Sequence, residues 1–95
     1  MNKTFILFKG RHEMPAEVAD APEMFSEGTD PMAFNDMLNV AKAKIAGADG
    51  VTLYVTGLTP ATVAVINACL AARCGLVLMH YNRATGTYVP QQVLI

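Results

Sequence analysis

The order of apolar and polar positions along the chain predicts four strands and two helices. Residues 3–9 are a short apolar run with the β-branched and aromatic side chains of a buried strand. Residues 51–57 alternate apolar with polar side chains, as in a strand that packs one face on a core. Residues 76–82 and 88–95 supply two further strands, which are joined by a turn that contains Gly86.

The first helix is predicted to begin at the dipeptide Asp30-Pro31, which is typical of an N-cap and a first helical turn. Apolar residues then recur at intervals of three and four, which places them on one helical face. These residues are Phe34, Leu38, Ala41 and Ile45. The preceding residues 10–30 are interrupted by prolines and glycine, so they are expected to form a long loop with one helical turn near residues 16–19.

The second helix is predicted to begin at Thr59 and Pro60 and to end at Gly75. Residues 59–72 carry no charged side chain, and small alanines are interspersed there with bulky apolar residues. A helix that is apolar on all sides is buried on all sides. We therefore expect its alanine surface to contact a second copy of the chain in a homodimer; the alternative is burial beneath residues 10–30.

These elements predict a single α/β domain over residues 1–95, in the order strand, helix, strand, helix, strand, strand. Two right-handed crossovers make the first three strands parallel, and the fourth returns antiparallel to the third. The predicted fold is a small Rossmann-like open sheet with strand order 1-2-3-4 and both helices mainly on one face. The polar face of the second strand (Thr52, Tyr54 and Thr56) then needs the 10–30 loop or another subunit to cover it.

Charge is distributed unevenly along the chain. Seven of the eight acidic residues lie in residues 13–36, here called the acidic segment, which contains no Lys or Arg. They are Glu13, Glu17, Asp20, Glu23, Glu27, Asp30 and Asp36. A protein with this charge distribution is not expected to coat duplex nucleic acid. Charged residues make up 16% of the chain and hydrophobic residues 53%, which again favours apolar surface that faces a partner.

The sequence argues against several familiar kinds of site. Cys69 and Cys74 are five residues apart on the second predicted helix, too far for a disulfide or a metal pair, so both are expected to be free buried thiols. No P-loop, glycine-rich dinucleotide fingerprint or nucleophile elbow occurs, and neither a metal nor another cofactor is predicted. No signal sequence or membrane span is indicated, so the expected location is the cytoplasm.

Candidate ligand-binding residues follow the carboxyl ends of the three parallel strands, where loops and helix N-termini meet. They are Arg11, then Thr56, Gly57, Leu58 and Thr59, and finally Asn82 and Arg83. The turn at 56–59 supplies main-chain N–H groups at the positive end of a helix dipole, and arginine pairs with phosphate oxygens. His12 is the candidate catalytic general base, because histidine exchanges protons near neutral pH. The alternative at this turn is that Thr59 only caps the helix.

Residues 53–89 carry a strand, the turn "TGLTP", an apolar helix, a strand that ends in Tyr-Asn-Arg and a short final strand. This order resembles the second half of CARF domains, the CRISPR-associated Rossmann folds, whose turn is Thr-Gly-Gly-Thr-Lys. Leu58 and Pro60 stand here in place of the second glycine and the lysine. The resemblance implies a homodimer that binds cyclic oligoadenylate across its two-fold axis and cleaves it slowly as a ring nuclease. It also implies a minimal member, carried by a phage or mobile element, that antagonises nucleotide signalling in antiviral defence.

Two functions are therefore predicted. The first is a homodimeric nucleotide-phosphate binding domain, with a cyclic oligonucleotide as a candidate ligand and slow metal-independent phosphodiester cleavage as a candidate activity. The alternative is a non-enzymatic interaction or inhibitor protein, whose acidic segment binds a basic protein partner.

Overall fold

The chain alternates strands with helices and ends in a hairpin. The computed structural model describes residues 1–95, with strands β1 (Asn2–Ile6), β2 (Gly50–Tyr54), β3 (Gly75–Asn82) and β4 (Thr87–Leu94) and helices α1 (Phe34–Ile45) and α2 (Thr59–Ala71). The strands form one sheet in the order β1-β2-β3-β4, in which β1, β2 and β3 are parallel and β4 is antiparallel to β3. The predicted α/β class, Rossmann-like open sheet and strand order are confirmed.

The two helices and one face of the sheet share a single apolar core. Val51 and Leu53 of β2 are buried there, as their alternation with polar residues predicts, and they join Leu76 and Leu78 of β3. The helices pack against each other over this core. The radius of gyration is 12.4 Å, the size expected for a tightly packed chain of this length.

The middle of the acidic segment, residues 22–25, is built into the fold and is more than a surface loop. Ile6 donates a hydrogen bond to the carbonyl of Pro22 (3.0 Å), and Met24 donates one to the carbonyl of Ile6 (2.7 Å). Met24 and Phe25 are buried in the core. This stretch therefore covers the outer edge of β1, which would otherwise present unpaired main-chain groups. A single 3₁₀ turn, Ala16–Val18, lies where a helical turn was predicted.

Helix α1 begins three residues later than Pro31, so its predicted start was wrong. The Asp30 carboxylate accepts a hydrogen bond from the Met32 amide (2.9 Å), and the Asp30 carbonyl accepts one from the Ala33 amide (3.1 Å). Asp30 thus closes a turn ahead of the helix and does not cap it. The buried face of α1 consists of Met37, Ala41 and Ile45. Phe34, which the spacing placed in the core, is exposed because it lies at the unpacked first turn.

Helix α2 has unusual main-chain geometry at both ends. It is preceded by Leu58 at φ 56° and ψ 95°, with no side-chain cap, so Thr59 is the first helical residue and not the N-cap. The helix ends at Ala71 and not near Gly75. Arg73 has a φ of 54°, and its amide and that of Cys74 donate to carbonyls in the last turn, as in a Schellman motif. Neither helix of the fold combines the length and the hydropathy needed to cross a membrane.

Both cysteines are free and buried, as predicted. The prediction that both lie on the second helix was wrong. Cys74 lies beyond the end of α2, where its thiol approaches that of Cys69. Burial, together with the neighbouring Cys74 thiol, raises the pKa of Cys69 to about 12. Cys69 is therefore protonated at neutral pH and lacks the thiolate needed for nucleophilic chemistry.

Candidate anion-binding site

The carboxyl ends of β1 and β2 bring Arg11 against the main chain of Gly57. A Cβ at residue 57 would lie 3.0 Å from Nε of Arg11, and Gly57 has a φ of 118°. Only glycine accommodates both this conformation and this close approach without strain. The sequence prediction that Arg11 and Gly57 converge is therefore matched by the geometry.

The turn beside Arg11 has main-chain N–H groups without partners. The amides of Thr56, Gly57 and Leu58 donate to no acceptor within the protein, and that of Thr59 is the first of α2. The positive φ of Leu58 is uncommon for a residue with a branched side chain and costs about 1–3 kcal/mol. Such strain persists where the surrounding structure requires it, which is typical of ligand-binding turns.

The buried Thr56 side chain links the turn to the end of β1 by hydrogen bonds. It is fully buried, and its hydroxyl donates to the Phe8 carbonyl (2.8 Å) and accepts from the Phe8 amide (2.9 Å). Both bonds cross from the end of β2 to the end of β1, three residues before Arg11. Thr56 therefore positions the site, and its hydroxyl is not exposed to a ligand.

A cavity of about 200 Å³ lies next to Arg11. One wall is formed by residues 8–11, another by residues 27–29, and Leu58 closes it. The Arg11 guanidinium also lies 5.9 Å from the centre of the Phe8 ring, which adds a cation–π interaction. Lys9 and Arg11 contribute two positive charges to this cavity, and Glu27 contributes one negative charge.

The remaining predicted site residues do not gather at Arg11. Asn82 uses its side-chain oxygen to accept from the Ala84 amide (3.0 Å), which closes the β3–β4 hairpin. Arg83 is exposed within that hairpin turn. The ring of His12 stacks on Tyr81, with 6.1 Å between ring centres and 18° between ring planes. Thr59 is exposed at the start of α2, where it borders a groove between the two helices.

The structure also brings together a group of aromatic residues that are absent from the predicted site residues. All three tyrosines of the chain, Tyr54, Tyr81 and Tyr88, line one cavity together with parts of the acidic segment. Their convergence depends on the β3–β4 register, in which Tyr81 is opposite Tyr88. The sequence feature that could have predicted this cluster is the presence of one tyrosine on each of three successive strands.

No protein-family model, curated protein or solved structure matches this chain.

Proposed function

We propose that this protein binds the phosphate group of a nucleotide at Arg11 and the 57–59 turn. The observation that carries this proposal is the Arg11 guanidinium held against the Gly57 main chain, beside successive N–H groups that have no partner. Guanidinium and main-chain N–H groups at a helix N-terminus are both suited to phosphate oxygens. Lys9 adds a second cation in the same cavity.

The composition of the cavity favours a phosphate ester over inorganic phosphate. Glu27 lies on the wall of the cavity that also contains Lys9 and Arg11. A carboxylate repels a free phosphate but accepts hydrogen bonds from the hydroxyl groups of a sugar. A nucleotide with ribose near Glu27 and phosphate near Arg11 satisfies both groups. Cyclic oligoadenylate is among the candidate ligands. Because the His12 ring stacks on Tyr81, we assign no cleavage step to His12.

Replacing Arg11 tests this proposal. Arg11→Gln is expected to weaken nucleotide binding by about 10-fold to 100-fold, the value of a lost charge-assisted hydrogen bond. Calorimetry with AMP, ADP, a cyclic oligoadenylate and inorganic phosphate measures the affinities. Arg83→Gln removes the same charge from the exposed hairpin turn and is the matched control, with unchanged affinity expected. Equal losses in the two variants, or no binding of any nucleotide to the native chain, would contradict the proposal.

We further propose that two copies of the chain associate through the outer surface of α2. The predicted contact through its alanines was wrong, because Ala61, Ala64 and Ala68 are buried in the core of the same chain. Val63 and Leu70 of α2 are exposed there, as is Phe34 of the neighbouring α1, and the groove between α1 and α2 has a volume of about 500 Å³. The groove is lined without any charged side chain, so a second copy can cover it without burying an unpaired charge. An isologous contact of this kind is the commonest way in which identical chains pair.

Substitution of Val63 tests the proposed dimer. Val63 is 45% exposed on α2, and Val89 is 44% exposed on β4, so each can be replaced by lysine with a similar effect on the folded chain. Sedimentation is expected to give a dimer for the native chain and for Val89→Lys, and a monomer for Val63→Lys. A native chain that remains monomeric at about 100 µM, far above the Kd of a stable dimer, would exclude this interface.

The acidic segment supports the second candidate function, recognition of a basic partner. The only ion pair in the chain joins the N-terminal amine to Asp49, so none of the seven acids in residues 13–36 is neutralised by a cation. Met24 and Phe25 anchor this segment in the core, which holds the neighbouring carboxylates at defined places. Fixed and unpaired carboxylates favour a cationic ligand.

A further inference from the structure

The tyrosine cavity lies on the sheet face opposite the helices. Its volume is about 550 Å³, which is within the range of small-molecule sites. Leu53 and Leu78 point into the helix-covered core, so their neighbours Tyr54 and Met79 lie on the other face of the sheet. The other walls come from the acidic segment (Glu13, Met14, Pro15 and Glu17) and from the hairpin (Tyr81, Gly86, Thr87 and Tyr88).

The three tyrosine rings meet at steep angles. The ring centres of Tyr54 and Tyr88 are 5.0 Å apart with planes at 70°, and those of Tyr81 and Tyr88 are 5.4 Å apart with planes at 60°. Edge-to-face contact leaves ring faces that the other tyrosines do not cover, and these faces are rich in π-electron density. Of the three rings, only Tyr81 has a stacked neighbour, which is His12. Tyr54 is buried whereas Tyr81 is 45% exposed, so the cavity opens to solvent beside Tyr81.

The other groups around the cavity carry negative or polarisable atoms. Glu13 and Glu17 line it, neither is ion-paired, and no Lys or Arg is present in its walls. Met14 and Met79 add thioether sulfurs, which are soft and polarisable. The Tyr88 hydroxyl donates to the Met14 sulfur (3.6 Å). The pKa of Tyr88 is raised, mainly by burial and to a smaller extent by the neighbouring Tyr81 and Tyr54. The Tyr88 phenol is therefore neutral at pH 7.

We propose that this cavity binds an organic cation of the alkylated ammonium class, either as a free small molecule or at the end of a modified lysine side chain. Aromatic faces attract such cations, and the two carboxylates supply the matching charge. A metal ion is a poorer occupant because no group of three or more His, Cys, Asp or Glu side chains in the chain could hold one. A nucleotide phosphate is excluded from this cavity by Glu13 and Glu17, so the proposal is independent of the Arg11 site.

Choline and its uncharged carbon analogue, 3,3-dimethylbutan-1-ol, test the cation directly because they have nearly the same shape. NMR titration of the native chain is expected to shift the signals of the three tyrosines with choline, and the neutral analogue should bind at least about 10-fold more weakly, as expected for lost cation–π and carboxylate interactions. A peptide that carries trimethyllysine distinguishes the two sources. Tighter binding of the peptide assigns the site to lysine side chains, and equal or tighter binding of choline assigns it to a free cation.

Two pairs of variants separate recognition from folding. Tyr81→Phe keeps the aromatic ring and should keep the affinity, whereas Tyr81→Leu should weaken choline binding by about 3-fold to 30-fold, the range of a cation–π contact. The double change Glu13→Gln and Glu17→Gln should weaken binding and reduce its salt dependence. Asp20→Asn, in the same segment but outside the cavity walls, should leave it unchanged. Equal affinity for choline and the neutral analogue, or no tyrosine shifts with any probe, would overturn the proposal.

Discussion

Replacing Phe25 by alanine is expected to destabilise the fold by about 3–5 kcal/mol, the usual cost of removing a buried aromatic side chain. Phe25 is only 2% exposed, and its ring centre lies 5.8 Å from that of Phe8. The substitution leaves a cavity in the core and detaches the acidic segment from the edge of β1. Since domains of this size are stable by only about 5–15 kcal/mol, much of the native stability would be lost.

Val89→Ala is the control, because it also truncates an apolar side chain, at a position that is 44% exposed and outside the proposed dimer surface and both cavities. Its expected effect is below about 1 kcal/mol, as for surface substitutions in general. Urea unfolding followed by circular dichroism measures both values. A loss of less than 1 kcal/mol for Phe25→Ala would mean that the acidic segment does not belong to the cooperative core.

Replacing Thr56 by valine is expected to cost about 2–4 kcal/mol, although valine has almost the same shape. The Thr56 hydroxyl is the hydrogen-bond partner of both the amide and the carbonyl of Phe8. Valine leaves these two main-chain groups buried without partners, and each unsatisfied group costs about 1–3 kcal/mol. In a domain of this size, the melting temperature should fall by roughly 10–25 °C.

Thr52→Val provides the comparison for this substitution. Thr52 is on β2, four residues before Thr56, is only partly buried and makes no side-chain hydrogen bond, so the change should be nearly neutral. Differential scanning calorimetry of the two variants isolates the contribution of the buried hydroxyl. Similar melting temperatures for Thr56→Val and the native chain would show that water or a local shift satisfies the Phe8 groups.

The two stability predictions concern the same scaffold that carries the candidate sites. Residues 9–17 leave the end of β1, pass Arg11 at the first cavity and reach Glu13 and Glu17 at the tyrosine cavity. Thr56 anchors the start of this stretch, and the buried Met24 and Phe25 hold the residues that follow it. Cationic and anionic side chains separated by few residues are thus held beside two different cavities. This placement explains how one small chain can present two sites of opposite charge.

The order of elements, the parallel and antiparallel pairings and the strand order were predictable from the sequence. Apolar periodicity is a local property, and the handedness of crossovers then leaves few topologies. The approach of Arg11 to Gly57 was also predictable, because the carboxyl ends of neighbouring parallel strands meet at one edge of the sheet.

Only the tertiary structure determined several other features. Met24 and Phe25 are buried although they lie between acids without any periodic pattern, because they fill the space beside β1. Helix α2 ends at Ala71, and two residues later Arg73 adopts a left-handed backbone conformation that is usually found at glycine. The hydrogen bonds of the Thr56 hydroxyl to Phe8, and the cavity that the three tyrosines line, both require contacts between different strands. Such contacts follow from register and packing between distant segments, and the order of residues along one segment does not specify them.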